Sequence, residues 1–155
     1  MEERVANFLT TYLRVNTRNK RILKVGFADQ LKDICHTLYS WTGVQDSFFY
    51  EKNPKERHTP LNYFKGETVV DLWIKFGNHL RMLDENIWIN ALLKTLNVDV
   101  LIIKDLRFPN EFKAIKENKG ITCKIERPEY EGLSSISDNA LNTETNWDTI
   151  IYNSK

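Results

Sequence analysis

Apolar residues recur along this chain at two spacings, one helical and one extended. Val5, Phe8, Leu9 and Leu13 stand three and four apart, which predicts a helix over about 3–15. Ile22-Leu23-Lys24-Val25-Gly26-Phe27 reads as a strand ending near Asp29, and Leu31, Ile34, Cys35 and Leu38 mark a helix that runs toward Trp41 and stops before Gly43. Thr68 is a cap for a helix whose apolar residues Val69, Leu72, Trp73, Phe76 and Leu80 keep helical spacing. Asp84 is placed to cap another, carrying Ile87, Trp88, Ala91, Leu92 and Leu96. The continuous apolar run 98–103 is bounded by turn residues and reads as a buried parallel strand. A short helix over 111–118, stopped by Gly120, leads to a strand over 121–126 and a last strand over 148–152. Between the second and third helices, the aromatic, charged stretch of about 44–66 is interrupted by Pro54 and Pro60 and reads as a long irregular excursion. Strands alternating with helices predict an α/β domain with a mainly parallel sheet.

Composition narrows this little. The 155 residues suit one domain with a single good core, 1–155. A net charge of +1 gives no global attraction to nucleic acid or anionic membrane, so direct DNA binding is not expected. Basic residues gather locally, at Arg14, Arg18, Lys20, Arg21 and Lys24 and again at Lys52, Lys55 and Arg57. Solvated faces are the plainer reading of both clusters. Cys35 and Cys123 fit no metal or redox spacing and suit a reducing cytosol, and no apolar run approaches the ~18–20 residues of a membrane span. Trp41, Trp73 and Trp88 are expected in the core, with Trp147 as a surface or edge anchor.

The most informative stretch follows the apolar run at 98–103: Lys104-Asp105-Leu106-Arg107-Phe108-Pro109-Asn110-Glu111. An acid at the carboxyl end of a parallel strand lies where open α/β sheets place ligands. Arg107 offers a planar cationic fork suited to phosphate, and Pro109-Asn110-Glu111 suits a helix entry. Yet the six glycines are scattered, and neither G-x-x-x-x-G-K-[ST] nor G-x-G-x-x-G occurs. The plainer readings are a turn residue at Asp105, a bridge from Arg107 to Asp105 or Glu111, and a helix-terminal cation at Arg81.

In this order the chain resembles the deoxynucleoside monophosphate kinases of tailed phages, within the P-loop kinase superfamily, to which animal phosphomevalonate kinase is a more distant cousin. Gly26-Phe27-Ala28-Asp29-Gln30-Leu31-Lys32 is similar to the family's S-F-A-D-P-L-K, and Lys55-Glu56 to its substrate-loop K-E. Phe76-Gly77, Arg81 and Trp88 resemble L-G-T…R…W. Asp105 through Glu111 is nearly D-x-R-F-P-N-E, Arg127-Pro128 matches a later R-P, and Ser135 through Asp138 with Leu141, Asp148 and Asn153 resembles the closing pattern. The resemblance implies a three-layer P-loop-kinase-like domain. It also implies nucleotide or phosphate contacts at Lys55, Arg57, Arg81, Arg107 and Arg127, residual catalytic roles for Asp105 and Arg107, and Mg²⁺ at Asp105 if nucleotide binds.

The departures from the family cluster at the phosphate donor. Met1-Glu2-Glu3-Arg4 stands where G-x-G-K-D-T would precede the first helix, so the first strand and the Walker A loop are missing together. Val70, Ile74, Asn78 and Ser135 replace the family's Arg, Gln, Thr and His. Phosphoryl transfer depends on positioning and charge stabilisation, and single donors in such roles are worth ~2.7–4 kcal/mol. The expected function is therefore a kinase-like protein degenerate in phosphoryl transfer, in the cytoplasm (the host's, if phage-encoded), acting by nucleotide or partner binding. Its nucleotide would be a deoxynucleoside monophosphate or another nucleotide. Two alternatives stand beside it: an inhibitor that binds a host protein, and an active kinase, using Mg²⁺ with ATP, whose P-loop is supplied elsewhere. In the family the missing strand is central, so 98–103 is expected to pair directly with 121–126, or a homodimer to fill the gap.

Overall fold

The structure, a computed structural model, describes residues 2–94, 97–126 and 139–152. It is mixed α/β, and the chain divides into two compact units, Met1–Val25 with Asn97–Lys155, and Gly26–Leu96.

The first unit opens with α1 (Glu2–Asn16), which packs against β1 (Ile22–Val25) and β2 (Val100–Ile103). β1 and β2 run parallel with Ile22 opposite Val100 and Val25 opposite Ile103. Arg21 braces the entry to this pair: its backbone N–H donates to Asp99 Oδ2 at 2.8 Å and its guanidinium to Asn97 Oδ1 at 2.9 Å. α6 (Pro109–Glu117) then leads to β3 (Cys123–Glu126), which pairs in parallel with β4 (Thr149–Tyr152), Cys123 opposite Thr149.

The expected pairing of 98–103 with 121–126 does not form. Each of those strands instead holds one partner, β1 for β2 and β4 for β3, so the described strands make two separate two-stranded sheets. Each pair is fastened at its entry: Arg21 N–H donates to Asp99 ahead of β2, and Asp148 holds Thr122 ahead of β3. The helix before β3 also ends differently from expectation. The left-handed residue is Lys119 (φ 58°), and Gly120 is required by close approach, since a Cβ there would lie 2.6 Å from Ile115 Cγ2.

The second unit is helical. α2 (Phe27–Tyr39), α4 (Val69–Leu83) and α5 (Ile87–Leu93) bring Leu31, Cys35, Leu72, Trp73 and Trp88 into one core with Val44, Tyr50 and Val69. Thr68 caps α4 as its sequence predicts, with Asp71 N–H donating to Thr68 Oγ1 at 3.3 Å and Thr68 N–H to Asp71 Oδ2 at 2.9 Å. Asp84 terminates α4 rather than capping α5, whose first turn follows Asn86; Asp84 Oδ1 accepts the Asn86 N–H at 2.9 Å.

The excursion at 44–66, read from the sequence as irregular, holds three short helical elements. It carries α3 (Ser47–Lys52) and 3₁₀ turns at Pro54–His58 and Asn62–Phe64. Asp46 Oδ1 accepts the Phe49 N–H at 2.7 Å to start α3, and Tyr50 anchors it edge-on against Trp73 at 5.3 Å. Trp41, expected in the core, is 68% exposed because the turn at Ser40–Thr42 carries it outward, where it stacks edge-on with Tyr63. Trp147 does serve as an anchor, half-buried against Phe112 at 5.0 Å.

Candidate functional site

Around Asp105 the first unit is fastened from both sides. β2 ends at Ile103, and the Lys104 N–H donates to the Val25 carbonyl at 3.1 Å, carrying the ladder to the edge of the motif. The chain then runs without regular structure through Asp105 and Arg107 into α6. Glu111 fixes that passage. It is 1% exposed, and its Oε2 accepts the backbone N–H groups of Arg107 at 3.0 Å and Phe108 at 3.1 Å. Those amides precede the first helical turn, so the carboxylate meets donors that the helix leaves unsatisfied. Pro109 at the first helical position needs no N–H acceptor. Arg107 and Glu111 are thus in contact, with the Arg107 backbone N–H donating to the carboxylate. Asp105 is left half-buried and Arg107 exposed.

Beside this loop lies a charge cluster that sequence reading missed. Glu3, in the first turn of α1, is bracketed by two lysines: Lys24 of β1 donates to Glu3 Oε1, and Lys104 Nζ lies 3.5 Å from Glu3 Oε2. Lys24 also donates to Asn7 Oδ1 at 2.7 Å. Burial pushes the Glu3 carboxyl up, but the hydrogen bond from Lys24 and the charges of Lys104 and Lys24 outweigh it and hold the group below its ordinary value. Lys104 is the better buried lysine, its side chain 12% exposed. A helix N-terminus flanked by two lysines would suit an anion, and here the protein's own carboxylate supplies the charge. The signal in sequence was an acid in the first turn of a helix ahead of a strand lysine, a pattern too common to single out.

In the second unit, the turn at Pro54–His58 presents Lys55 and Arg57 and packs against α3 and α4. Lys55 is exposed; Arg57 is half-buried, with Nε donating to the Tyr50 carbonyl at 3.2 Å. That bond spends one guanidinium donor on holding the turn. Arg81 sits in the last turn of α4, where a cation complements the helix dipole. Nearby aromatics divide by role. Tyr50 enters the core, while Trp41, Phe48 and Tyr63 remain largely exposed, with the Lys52 ammonium 4.2 Å from the Phe48 ring centroid. Asp29, part of the segment similar to S-F-A-D-P-L-K, accepts the Gly26 N–H at 2.8 Å and the Lys32 ammonium at 3.3 Å, and so caps α2.

The sequence-derived residues therefore fall into two sets: Asp105 and Arg107 share one loop of the first unit, and Lys55, Arg57 and Arg81 belong to the second. Arg127, with Pro128, Ser135 and Asp138, lies outside the described residues. Among the described residues, no three His, Cys, Asp or Glu side chains gather to hold a metal ion. Asp105 alone suits Mg²⁺ only together with a bound polyphosphate, because Mg²⁺ completes its shell with phosphate oxygens and water. No described helix is long and apolar enough to cross a membrane. Compared with models of protein families and with curated protein sequences, the chain matches none.

Proposed function

We propose that this chain is a deoxynucleoside monophosphate kinase-like protein of the P-loop kinase type that acts by binding rather than by efficient phosphoryl transfer. The observation that carries the reading is Glu3 held between Lys24 and Lys104 beside the Asp105 loop. Phosphoryl transfer needs cations and amides aimed at the transferred phosphate. Here both lysines are engaged by a carboxylate of the same unit, so an incoming triphosphate would have to displace Glu3 to reach them. Lys55, Arg57 and Arg81 with the exposed aromatics supply what a nucleotide monophosphate requires: cations for phosphate and π faces for the base.

The test is a coupled assay with ATP, Mg²⁺ and each deoxynucleoside monophosphate, run beside thermal-shift titration. The expected outcome is no turnover above background, together with a melting rise for at least one monophosphate that Arg81→Ala removes. Ligand at 100 Kd adds ~2.7 kcal/mol to stability, enough to read as a shift. Turnover that disappears in Asp105→Asn would overturn the reading.

A second reading, an inhibitor that binds a host protein, is favoured by the exposure of Phe48 (60%) on α3 and Tyr63 (57%) on the turn at Asn62–Phe64. It predicts a stoichiometric partner lost in Phe48→Ala, with no melting response to any nucleotide.

A further inference from the structure

α1 buries its small residues and exposes its large ones. On the side that packs against β1 and β2, Ala6 and Thr10 are buried and Leu13 and Thr17 half-buried, with the Thr10 hydroxyl donating to the Ala6 carbonyl at 2.7 Å. Phe8 (68% exposed), Tyr12 (55%) and Val15 (73%) face the other way, joined by Leu9. Val5, Phe8, Tyr12 and Val15 stand three, four and three apart, the alternation of a and d positions along which one helix meets another. The Phe8 and Tyr12 rings stack along that seam with centroids 6.2 Å apart. A helix that met only water here would carry polar residues, and a bilayer takes a wider apolar face than an a/d stripe.

Charge marks one border of the seam. Arg4 precedes Phe8 by one turn, and Arg18 follows Val15 by three residues, just beyond the last turn of α1. Both are exposed, and neither enters an ion pair among the described residues. Glu3, by contrast, is held by Lys24 and Lys104. A second copy of α1 does not answer the two arginines. Run antiparallel, it would bring Arg18 of one copy toward Arg4 of the other; run parallel, it would set Arg4 beside Leu9.

We propose that the outer face of α1 is an interaction surface for an acidic amphipathic helix of another protein. The partner's apolar stripe lies along Phe8, Tyr12 and Val15, and its aspartate or glutamate side chains reach Arg4 and Arg18. Burial of the two rings supplies the affinity, while the arginines select an acidic partner and set its register. The surface belongs to the first unit and is independent of the nucleotide contacts proposed for Lys55, Arg57 and Arg81, so failure of the nucleotide titration leaves it standing.

The test titrates the full chain into a fluorescent stapled helix of about three heptads, with leucine at its a and d positions and glutamate on both flanks, followed by anisotropy. Binding is expected with a Kd on the order of 10 μM, weakened at least roughly tenfold by Phe8→Ala with Tyr12→Ala. Both side chains are exposed, so the melting temperature of that variant should stay at the wild-type value. Arg4→Glu with Arg18→Glu should weaken binding of the glutamate helix about tenfold and strengthen binding of the same helix with lysine flanks by a similar factor, a reversal that loss of fold cannot imitate. The proposal is overturned if the glutamate helix does not bind, if the lysine-flanked helix binds the wild type equally well, or if charge reversal leaves the preference unchanged. It is overturned equally if Phe8 and Tyr12 instead drive self-association of the chain in sedimentation velocity (a second copy as occupant) or binding to vesicles of anionic phospholipid (a membrane as occupant).

Discussion

The two units of this chain are held together by different physics. Gly26–Leu96 closes around side chains from three helices and the loop before α3: Cys35, Val69 and the loop residue Val44 are fully buried, and Leu72, Trp73, Trp88 and Leu92 are nearly so. Among the described residues of the other unit, the buried set is Ala6, Thr10, Ile22, Glu111, Phe112 and Thr122, half of it polar. What fastens that unit is a series of polar clamps: Glu3 with Lys24 and Lys104, Asp99 with Arg21, Glu111 with two backbone amides, and Asp148 with Thr122 and Lys116. Amphipathic helices bury one another's faces in any compact bundle. Parallel strands need further strands and covering layers before their apolar faces close, and among the described residues these strands have one partner each.

The widest separation should come from truncating one large side chain in each unit. Trp88→Ala should cost ~3–5 kcal/mol, whereas Ile151→Ala, at a residue already 36% exposed, should cost about 1 kcal/mol. Chemical denaturation with linear extrapolation measures both. Equal losses would mean that the sheet unit buries far more than its described residues account for.

Polar clamps should break in the opposite unit. Glu111→Ala leaves the N–H groups of Arg107 and Phe108 without their acceptor in a buried site and should cost ~1–3 kcal/mol. Glu111→Gln, which keeps a carbonyl oxygen, should recover part of it. Amide exchange at Arg107 and Phe108 should accelerate in the alanine variant; unchanged exchange there would show that Glu111 is packed in rather than clamping.

The same division decided what the sequence revealed. α1 and α4 were legible because apolar spacing and the Thr68 cap agree. All four strands were legible from their apolar runs, but their partners were not, since a run of Val, Leu and Ile carries no record of which edge it meets. α3 hid between prolines, and its one local signal was Asp46 ahead of a short apolar segment. Trp41 was misread because a 3₁₀ turn shifts the helical phase that its spacing implied. At the candidate site the motif marked Asp105, Arg107 and Glu111, yet gave no sign that Glu111 is the buried member or that Glu3 would face Lys104 across more than a hundred positions.

Acid should weaken the sheet unit through Asp148. Its carboxylate accepts the Lys116 ammonium at 2.7 Å, the Thr122 N–H at 2.7 Å and the Thr122 hydroxyl at 2.8 Å. Lys116 first, and Thr122 with it, lower its pKa from 3.8 to about 2. A depressed folded-state pKa means that the unfolded chain binds the proton more tightly, so the stabilisation is complete above the unfolded value and is lost as pH falls through about 2. Melting temperatures between pH 5 and pH 2 should therefore fall more steeply in the wild type than in Asp148→Asn. Parallel curves would show that this clamp is the same in folded and unfolded chains.

The smallest effect separates the units by how each turns its backbone. Gly26–Leu96 uses glycine at two left-handed positions, Gly43 (φ 99°) and Gly66 (φ 89°), beside Lys65 (φ 55°). The other unit uses Asn19 (φ 68°) and Lys119 (φ 58°). Asparagine tolerates that region, but lysine bears the contact between Cβ and carbonyl that makes it unfavourable by ~1–2 kcal/mol. Lys119 pays this where α6 must reverse into β3, because the next residue cannot share the burden: any Cβ at Gly120 would meet the Ile115 carbonyl oxygen at 3.0 Å as well as its methyl group. Lys119→Gly should relieve the strain while adding freedom to the unfolded chain, for a net gain of about 0.5 kcal/mol and a slightly raised melting temperature. Gly66→Ala, at the matching kind of position in the helical unit, should go the other way by ~1 kcal/mol although nothing lies within 4 Å of its added methyl. If Lys119→Gly destabilises instead, the Lys119 side chain contributes more at that turn than its backbone costs.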